Sequence, residues 1–296
     1  MERKRASDYP QDLLNLFDKY VHGAIDRRGF LLGAARFAVG GLTAAKLLDE
    51  LSPKFAEAQQ VAPADTRIKA EHVEYPSPQG YGKMRGYLVR PANAKGKKLP
   101  GILVIHENRG LNPHIEDITR RFALENFMAF APDALAALGG YPGTEDEARA
   151  LFPKLDRPKT TEDMVAAARY LKGRPDCTGR IGVVGFCWGG SMSHTLATRL
   201  PDLNASVPFY GGAPAPEEAA KVKAALLVHF AENDERVNAS WPPYEAALKA
   251  AKVPHEAHTY PGTSHGFNND TTPRYNEAQA KVAWERTVAF FKKHLR

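Results

Sequence analysis

Arg180-Ile-Gly-Val-Val-Gly-Phe-Cys-Trp-Gly-Gly-Ser-Met192 is the stretch whose reading decides the fold. It opens with the short apolar, β-branched run Ile181 to Val184, the pattern of a strand buried on both faces. A sharp turn through Gly185 to Gly189 follows, and Gly190 to Arg199 reads as a helix. Strand, tight turn and helix form a nucleophile elbow, with Cys187 where that motif usually carries Ser. Glycines two before and two after the nucleophile have a steric reason, because side chains there would clash with the neighbouring strand and helix. The helix N-terminus also points free amides at the tip, which favours a thiolate or an oxyanion. A free Cys is more often buried and inert than reactive, so the reading needs a base from elsewhere in the chain.

Strands and helices alternate on both sides of the elbow. Glu71 to Tyr75 and Met84 to Arg90 read as an antiparallel pair around the Pro/Gly-rich Ser77 to Gly82. Gly101 to His106 is a buried strand, and Asn112-Pro113 cap and open a helix to about Asn126. Phe127 to Ala131 is the next strand, with helices expected over Thr144 to Leu155 and Thr160 to Lys172. After the elbow come strands Ala205 to Tyr210 and Ala224 to Ala231, helix Trp241 to Ala251, strand His255 to Tyr260, and a helix from about Pro273 to His294. This alternation predicts a three-layer α/β fold on a mainly parallel, doubly wound sheet, with its site beyond the carboxyl ends of the strands.

The candidate polar residues fall at those ends. Asp234 follows one strand and His265 follows the next, giving the nucleophile–acid–His order of the α/β hydrolases. A thiol needs such a base, and the base needs an orienting acid. Glu232 and Glu235 compete for the acid role, and a plain turn aspartate or a backbone-bonded loop histidine are the bland readings. His255 and His258 point to opposite faces of a strand and make a poor metal pair. No other zinc-like cluster is visible, so no metal and no cofactor is expected.

Gly-Phe-Cys-Trp-Gly-Gly around Cys187, His106-Glu107, Asp234 and His265 together resemble the dienelactone hydrolase family over roughly residues 67–296. The resemblance implies an α/β-hydrolase fold with a Cys187–His265–Asp234 triad that hydrolyses small esters or lactones through a thioester. It implies that Glu107 holds Cys187 as a neutral thiol at rest, since a carboxylate beside a thiol disfavours two negative charges. A salt bridge from Glu107 to Arg109 or Arg120 is the structural alternative. It also implies an oxyanion hole from the backbone N–H groups of Trp188 and Asn108. The family pattern carries an Arg four residues after the catalytic His, and here that position is Asn269. Arg274, Arg109 or Arg149 are candidates to take over the substrate carboxylate, with Tyr141 among the aromatic residues that could line the pocket. The reading in another class is a non-catalytic binding protein on a hydrolase fold. A Ser-type peptidase or lipase is a weaker enzyme reading.

The chain has 296 residues, 43% hydrophobic and 25% charged, ordinary values for a globular protein. Its net charge of +6 is scattered, which argues against nucleic-acid binding. Two cysteines, Cys177 and Cys187, give no disulfide framework. Residues 1–58 differ from the rest. A polar start, Glu2 to Arg5, leads to an amphipathic helical pattern over Gln11 to Tyr20. Arg27-Arg28, a mildly apolar run from Gly33 to Leu48 and the small-residue Ala56-Glu-Ala58 then resemble a twin-arginine export signal. The expectation is a signal or extension over 1–58, a linker over 59–70 and a hydrolase domain over 71–296. It brings the twin-arginine machinery as a partner and a periplasmic or secreted location, with the cytoplasm as the alternative. Arg36 and Lys46 interrupt the apolar run, so no stable membrane span is expected.

Overall fold

The computed structural model describes residues 4–296, so Glu2 and Arg3 of the polar start lie outside the described residues. Helices α1 (Gln11–Val21), α2 (Arg27–Ala34), α3 (Ala44–Leu51) and the single turn α4 (Phe55–Ala58) come first. Then follow β1 (Ile68–Ser77), β2 (Gly82–Pro91), β3 (Leu99–Ile105), α5 (Pro113–Leu124), β4 (Met128–Pro132), α6 (Glu145–Leu151) and α7 (Arg157–Gly173). The remainder is β5 (Cys177–Phe186), α8 (Trp188–Arg199), β6 (Ala205–Phe209), β7 (Ala225–Asn233), α9 (Glu235–Asn238), α10 (Trp241–Ala250), β8 (His255–Ser264) and α11 (Glu277–Leu295).

All the strands join one sheet in the order β1-β2-β4-β3-β5-β6-β7-β8. The pairs β1–β2 and β2–β4 are antiparallel, and every pairing from β4 to β8 is parallel. The buried central strands leave apolar side chains on both faces, each covered by helices. One face packs Ile115, Phe122 and Phe291 of α5 and α11, and the other packs Met164, Leu171, Leu196 and Leu248 of α7, α8 and α10. The expected doubly wound sheet is therefore present, and the crossovers place the ends of β3, β5, β7 and β8 on one rim.

Element boundaries move where a side chain caps the backbone. Asn112 caps α5 with Pro113 at its first position, as expected. Helix α11 starts at Glu277 rather than near Pro273, because Asn276 is its cap and donates its own N–H to the Phe267 carbonyl at 3.0 Å. The intervening residues instead form the loop that carries His265.

Residues 4–58 fold into a helical unit with its own core. Leu13, Leu14, Phe17 and Tyr20 fall on one face of α1 at helical spacing and pack against Phe30, Ala34, Leu47, Leu48 and Leu51. Arg27-Arg28 open α2, which Asp26 caps through the Gly29 N–H at 2.7 Å. The mildly apolar run is broken into α2, a short 3-10 turn and α3. The segment expected as a linker is pinned down: the Gln60 and Val61 amides donate to the Asp117 carboxylate, and Arg120 Nε donates to the Val61 carbonyl at 2.7 Å. Strand β1 begins at Ile68, ahead of the expected domain start at 71. No helix among the described residues is long and apolar enough to cross a membrane.

Candidate active site

Cys187 stands between β5 and α8 with φ 57° and ψ −113°, a conformation that a side-chain-bearing residue adopts only when the surroundings enforce it. The flanking glycines explain how. A Cβ on Gly185 would lie 1.9 Å from the Gly189 carbonyl oxygen, and one on Gly189 would lie 2.3 Å from the Ile105 carbonyl oxygen. The turn is thus wedged against the end of β3, and the Cys187 N–H is tied to the Phe209 carbonyl at 3.0 Å. Trp188 opens α8, so its amide is among those with no preceding helical carbonyl to bond. Its ring stacks on His106 with centroids 5.3 Å apart, and His106 Nε2 accepts the Ala134 N–H at 3.0 Å. Burial holds His106 below its ordinary pKa, which keeps that nitrogen an acceptor.

The ends of β7 and β8 bring the expected acid and base together. His265 Nδ1 donates to Asp234 Oδ2 at 2.5 Å, and both side chains are almost fully buried. Glu232 and Glu235 are not in this position; Glu232 accepts the Gly262 N–H at 2.8 Å. His265 Nε2 is buried beside Cys187 Sγ, interacting with it without an aligned hydrogen bond.

A third side chain, not anticipated from sequence, reaches the sulfur. His22, the residue that closes α1, places Nε2 3.4 Å from Cys187 Sγ. Its Nδ1 lies 2.9 Å from the Asp18 carbonyl oxygen and 3.2 Å from Asp18 Oδ1. Sγ and one ring nitrogen from each of His22 and His265 lie within 4.8 Å of one another. Burial opposes a thiolate here, but the charges of His265 and His22 outweigh it and bring the Cys187 thiol down to about 6. Burial likewise opposes the imidazolium forms. The Cys187 charge and the bond to Asp18 push His22 up to about 9, and the Cys187 charge and the bond to Asp234 push His265 up to about 10. The arrangement sets the Cys187 sulfur between two carboxylate-backed imidazoles. These three donors are of the types that zinc takes, although sequence spacing showed no metal cluster.

The other expected site residues divide. Glu107 accepts from Asn269 Nδ2 at 3.0 Å instead of lying in an ion pair with Arg109 or Arg120. His22 Nε2 makes the aligned hydrogen bond to Cys187 Sγ, and Glu107, the expected resting partner of the thiol, is bonded to Asn269. Arg109 and Arg274 are occupied by α1. Arg109 donates to the Val21 carbonyl at 2.8 Å beside a bond from Asn108 Nδ2 at 3.1 Å, while Arg274 pairs with Asp18 at 3.5 Å. Capping the carbonyl end of a helix with basic side chains is favourable, and here it docks α1 on the site. Arg149 lies over the Tyr20 ring, Tyr141 donates to Glu145 at 3.1 Å, and Arg27 pairs with Asp146 at 2.7 Å. A cavity of about 40 Å³ lies between the helical unit and the hydrolase body, lined by Glu107, Asn108, Arg109, Asn269 and Arg274. Asp18 and His22 were missed because contact between α1 and the elbow leaves no local mark in sequence. The amphipathic pattern of α1 was the one available sign that it packs on something.

Comparison with known proteins supports the fold. The family model described as "Dienelactone hydrolase family" matches residues 84–295, and one described as "YqhI-like" matches residues 1–38. An Escherichia coli (strain K12) protein named "Putative hydrolase fragment YghX" is 51% identical over 115 residues, covering 39% of this chain and 97% of its own. A Saccharolobus solfataricus protein named "Putative carboxymethylenebutenolidase" is 32% identical over 247 residues, covering 71% of this chain and 94% of its own. The solved structure of a "Putative Dienelactone Hydrolase" from Klebsiella pneumoniae subsp. pneumoniae superposes with a TM-score of 0.66 at 27% identity, over 76% of this chain and 99% of that one.

Proposed function

The chain belongs to the dienelactone hydrolase family and is a hydrolase acting on ester bonds, and on that premise we propose that it cleaves small esters or lactones through a Cys187–His265–Asp234 triad. The observation that carries the reading is the Asp234–His265 bond beside a thiol held at positive φ on the elbow. The Cys187 thiolate attacks the carbonyl carbon and the oxyanion forms against the amides of Trp188 and Asn108. The alcohol, or the opened lactone's hydroxyl, departs and leaves a thioester on Sγ. Water then adds to the thioester with His265 as base, and Asp234 fixes the imidazole tautomer and orientation. Glu107, bonded to Asn269, takes no part in the proton transfers of this scheme.

The test is p-nitrophenyl acetate turnover by the full chain, beside Cys187→Ala and a thiol-alkylated sample. Turnover should vanish in both. An acetyl adduct on Cys187 should appear in the intact mass early in the reaction and be removed by hydroxylamine. Activity that survives both changes would refute the thiol mechanism.

Export by a twin-arginine route with cleavage after Ala58 is a separate proposal, supported by the order of residues around Arg27-Arg28. The docking of α1 on Cys187 weighs for a helical unit that stays with the enzyme. Intact mass of the protein from periplasmic and cytoplasmic fractions decides, since a start at Gln59 requires cleavage and a start near Met1 requires retention.

A further inference from the structure

His22 and His265 are built alike around one sulfur, each with a carboxylate behind Nδ1 and Nε2 on the reacting side. Their rings meet edge to face with centroids 4.7 Å apart. They differ in how Nε2 meets the sulfur: that of His22 makes an aligned hydrogen bond to Sγ at 3.4 Å, whereas that of His265 interacts with the same sulfur without an aligned bond. Only His265 comes from the hydrolase body; His22 is delivered by the helical unit, which Arg109, Asn108 and Arg274 hold in place.

We propose that the two histidines divide the proton transfers, His22 donating to the leaving group during acylation and His265 activating the water that hydrolyses the thioester. The assignment rests on the ester-hydrolase reading above. In acylation the Sγ–C bond forms, the C–O bond breaks, and the His22 Nε2 proton passes to the departing oxygen. Thioester formation removes the Cys187 charge beside His265, which favours loss of the ring's proton to solvent. In hydrolysis His265 Nε2 takes a proton from water as the hydroxyl adds to the carbonyl carbon. The C–S bond breaks, its electrons return to Sγ, and His22 regains a proton from solvent. One water is consumed per ester. His22 is thus a second catalytic residue, and the helical unit is part of the active site.

The experiment measures kcat/KM on a series of acetate esters from p-nitrophenyl to simple alkyl, in chelator, for the full-length wild type and His22→Gln. An acid that protonates the leaving group matters most when that group is a poor one. His22→Gln should fall less than about tenfold on p-nitrophenyl acetate and about 10²–10⁴-fold on alkyl esters. Added imidazole should restore alkyl-ester turnover in His22→Gly. His265→Gln should accumulate the acyl-enzyme on every ester that acylates it. Asp18→Asn, which leaves the imidazole in place, should steepen the leaving-group dependence in the same direction and guards against a folding defect in the His22 variants. A loss equal across the series, or no loss at all, would overturn the proposal. Wild-type activity that collapses in chelator would overturn it in favour of a metal held by the three donors. If Cys187→Ala keeps wild-type turnover, the ester-hydrolase mechanism itself fails, a distinguishable result.

Discussion

Replacing Gly189 by Ala tests the claim that the elbow is wedged against β3. The new Cβ would lie 2.3 Å from the Ile105 carbonyl oxygen, 2.6 Å from the His106 oxygen and 2.8 Å from the Ile105 carbonyl carbon. Real Cβ contacts stay above 3.0 Å, so the end of β3 and the start of α8 must part by about 0.7 Å or more. The obstacle is backbone, so no rotamer can relieve it. Overpacking of this kind costs about 1–3 kcal/mol, and a backbone obstacle puts this case near about 3. At about 2–3 °C per kcal/mol for a chain of this size, melting should fall by about 6–9 °C. The same displacement shifts the Trp188 and Asn108 amides relative to Sγ, and a misplacement approaching 1 Å can cost about 10²-fold in rate. Calorimetry and ester turnover, with Gly173→Ala as control because a Cβ there meets open space, read both effects. A melting point within about 2 °C of wild type together with activity within about threefold would refute the reasoning.

Two further predictions follow from charge. In the pH profile, kcat/KM should fall below about 6, where Cys187 takes up a proton, and again above about 9, where His22 loses its own; kinetics on an alkyl ester from pH 5 to 10 measures both limbs. His194 is buried beside Tyr244 with neither ring nitrogen bonded among the described residues, and burial pushes its pKa down to about 3. Its folded pKa is below the unfolded value, so stability is full above about 6.5 and falls by about 1.4 kcal/mol per pH unit as pH drops from there toward 3. His194→Leu should therefore gain on wild type by about 2 kcal/mol more at pH 5 than at pH 8 in urea unfolding.

The parts of the fold legible in sequence were those in which local pattern and tertiary role coincide. Buried parallel strands leave unbroken apolar runs such as Ile102 to Ile105 and Val183 to Val184, and Asn112-Pro113 carries its cap in two residues. The elbow was legible for the same reason, because its glycines are demanded by contacts within the motif and with β3. Asp234 and His265 could be placed because strand ends in such a sheet share a rim. His22 had no such mark: its partner is 165 residues away, and its neighbour Asp18 reads as an ordinary helix carboxylate. Arg27-Arg28 carry two readings at once, since the pattern that resembles an export signal also begins a helix capped by Asp26 and tied to the body through Asp146. Arg109 and Arg274, candidates to grip a substrate carboxylate, line the cavity but also bond Val21 and Asp18 of α1, contacts the sequence does not announce.

Asp117 and Arg120 fasten residues 60–61 to α5, so the two halves of the chain meet on a fixed hinge point rather than a loose tether. For anyone engineering this protein, a cut that keeps only the matched hydrolase segment, residues 84–295, removes His22 from beside Cys187. A library, a crystallisation trial or a fusion begun at residue 67 would lack His22 and leave Cys187 beside the His265 imidazole alone. Selections made on that truncated body would optimise a different catalyst.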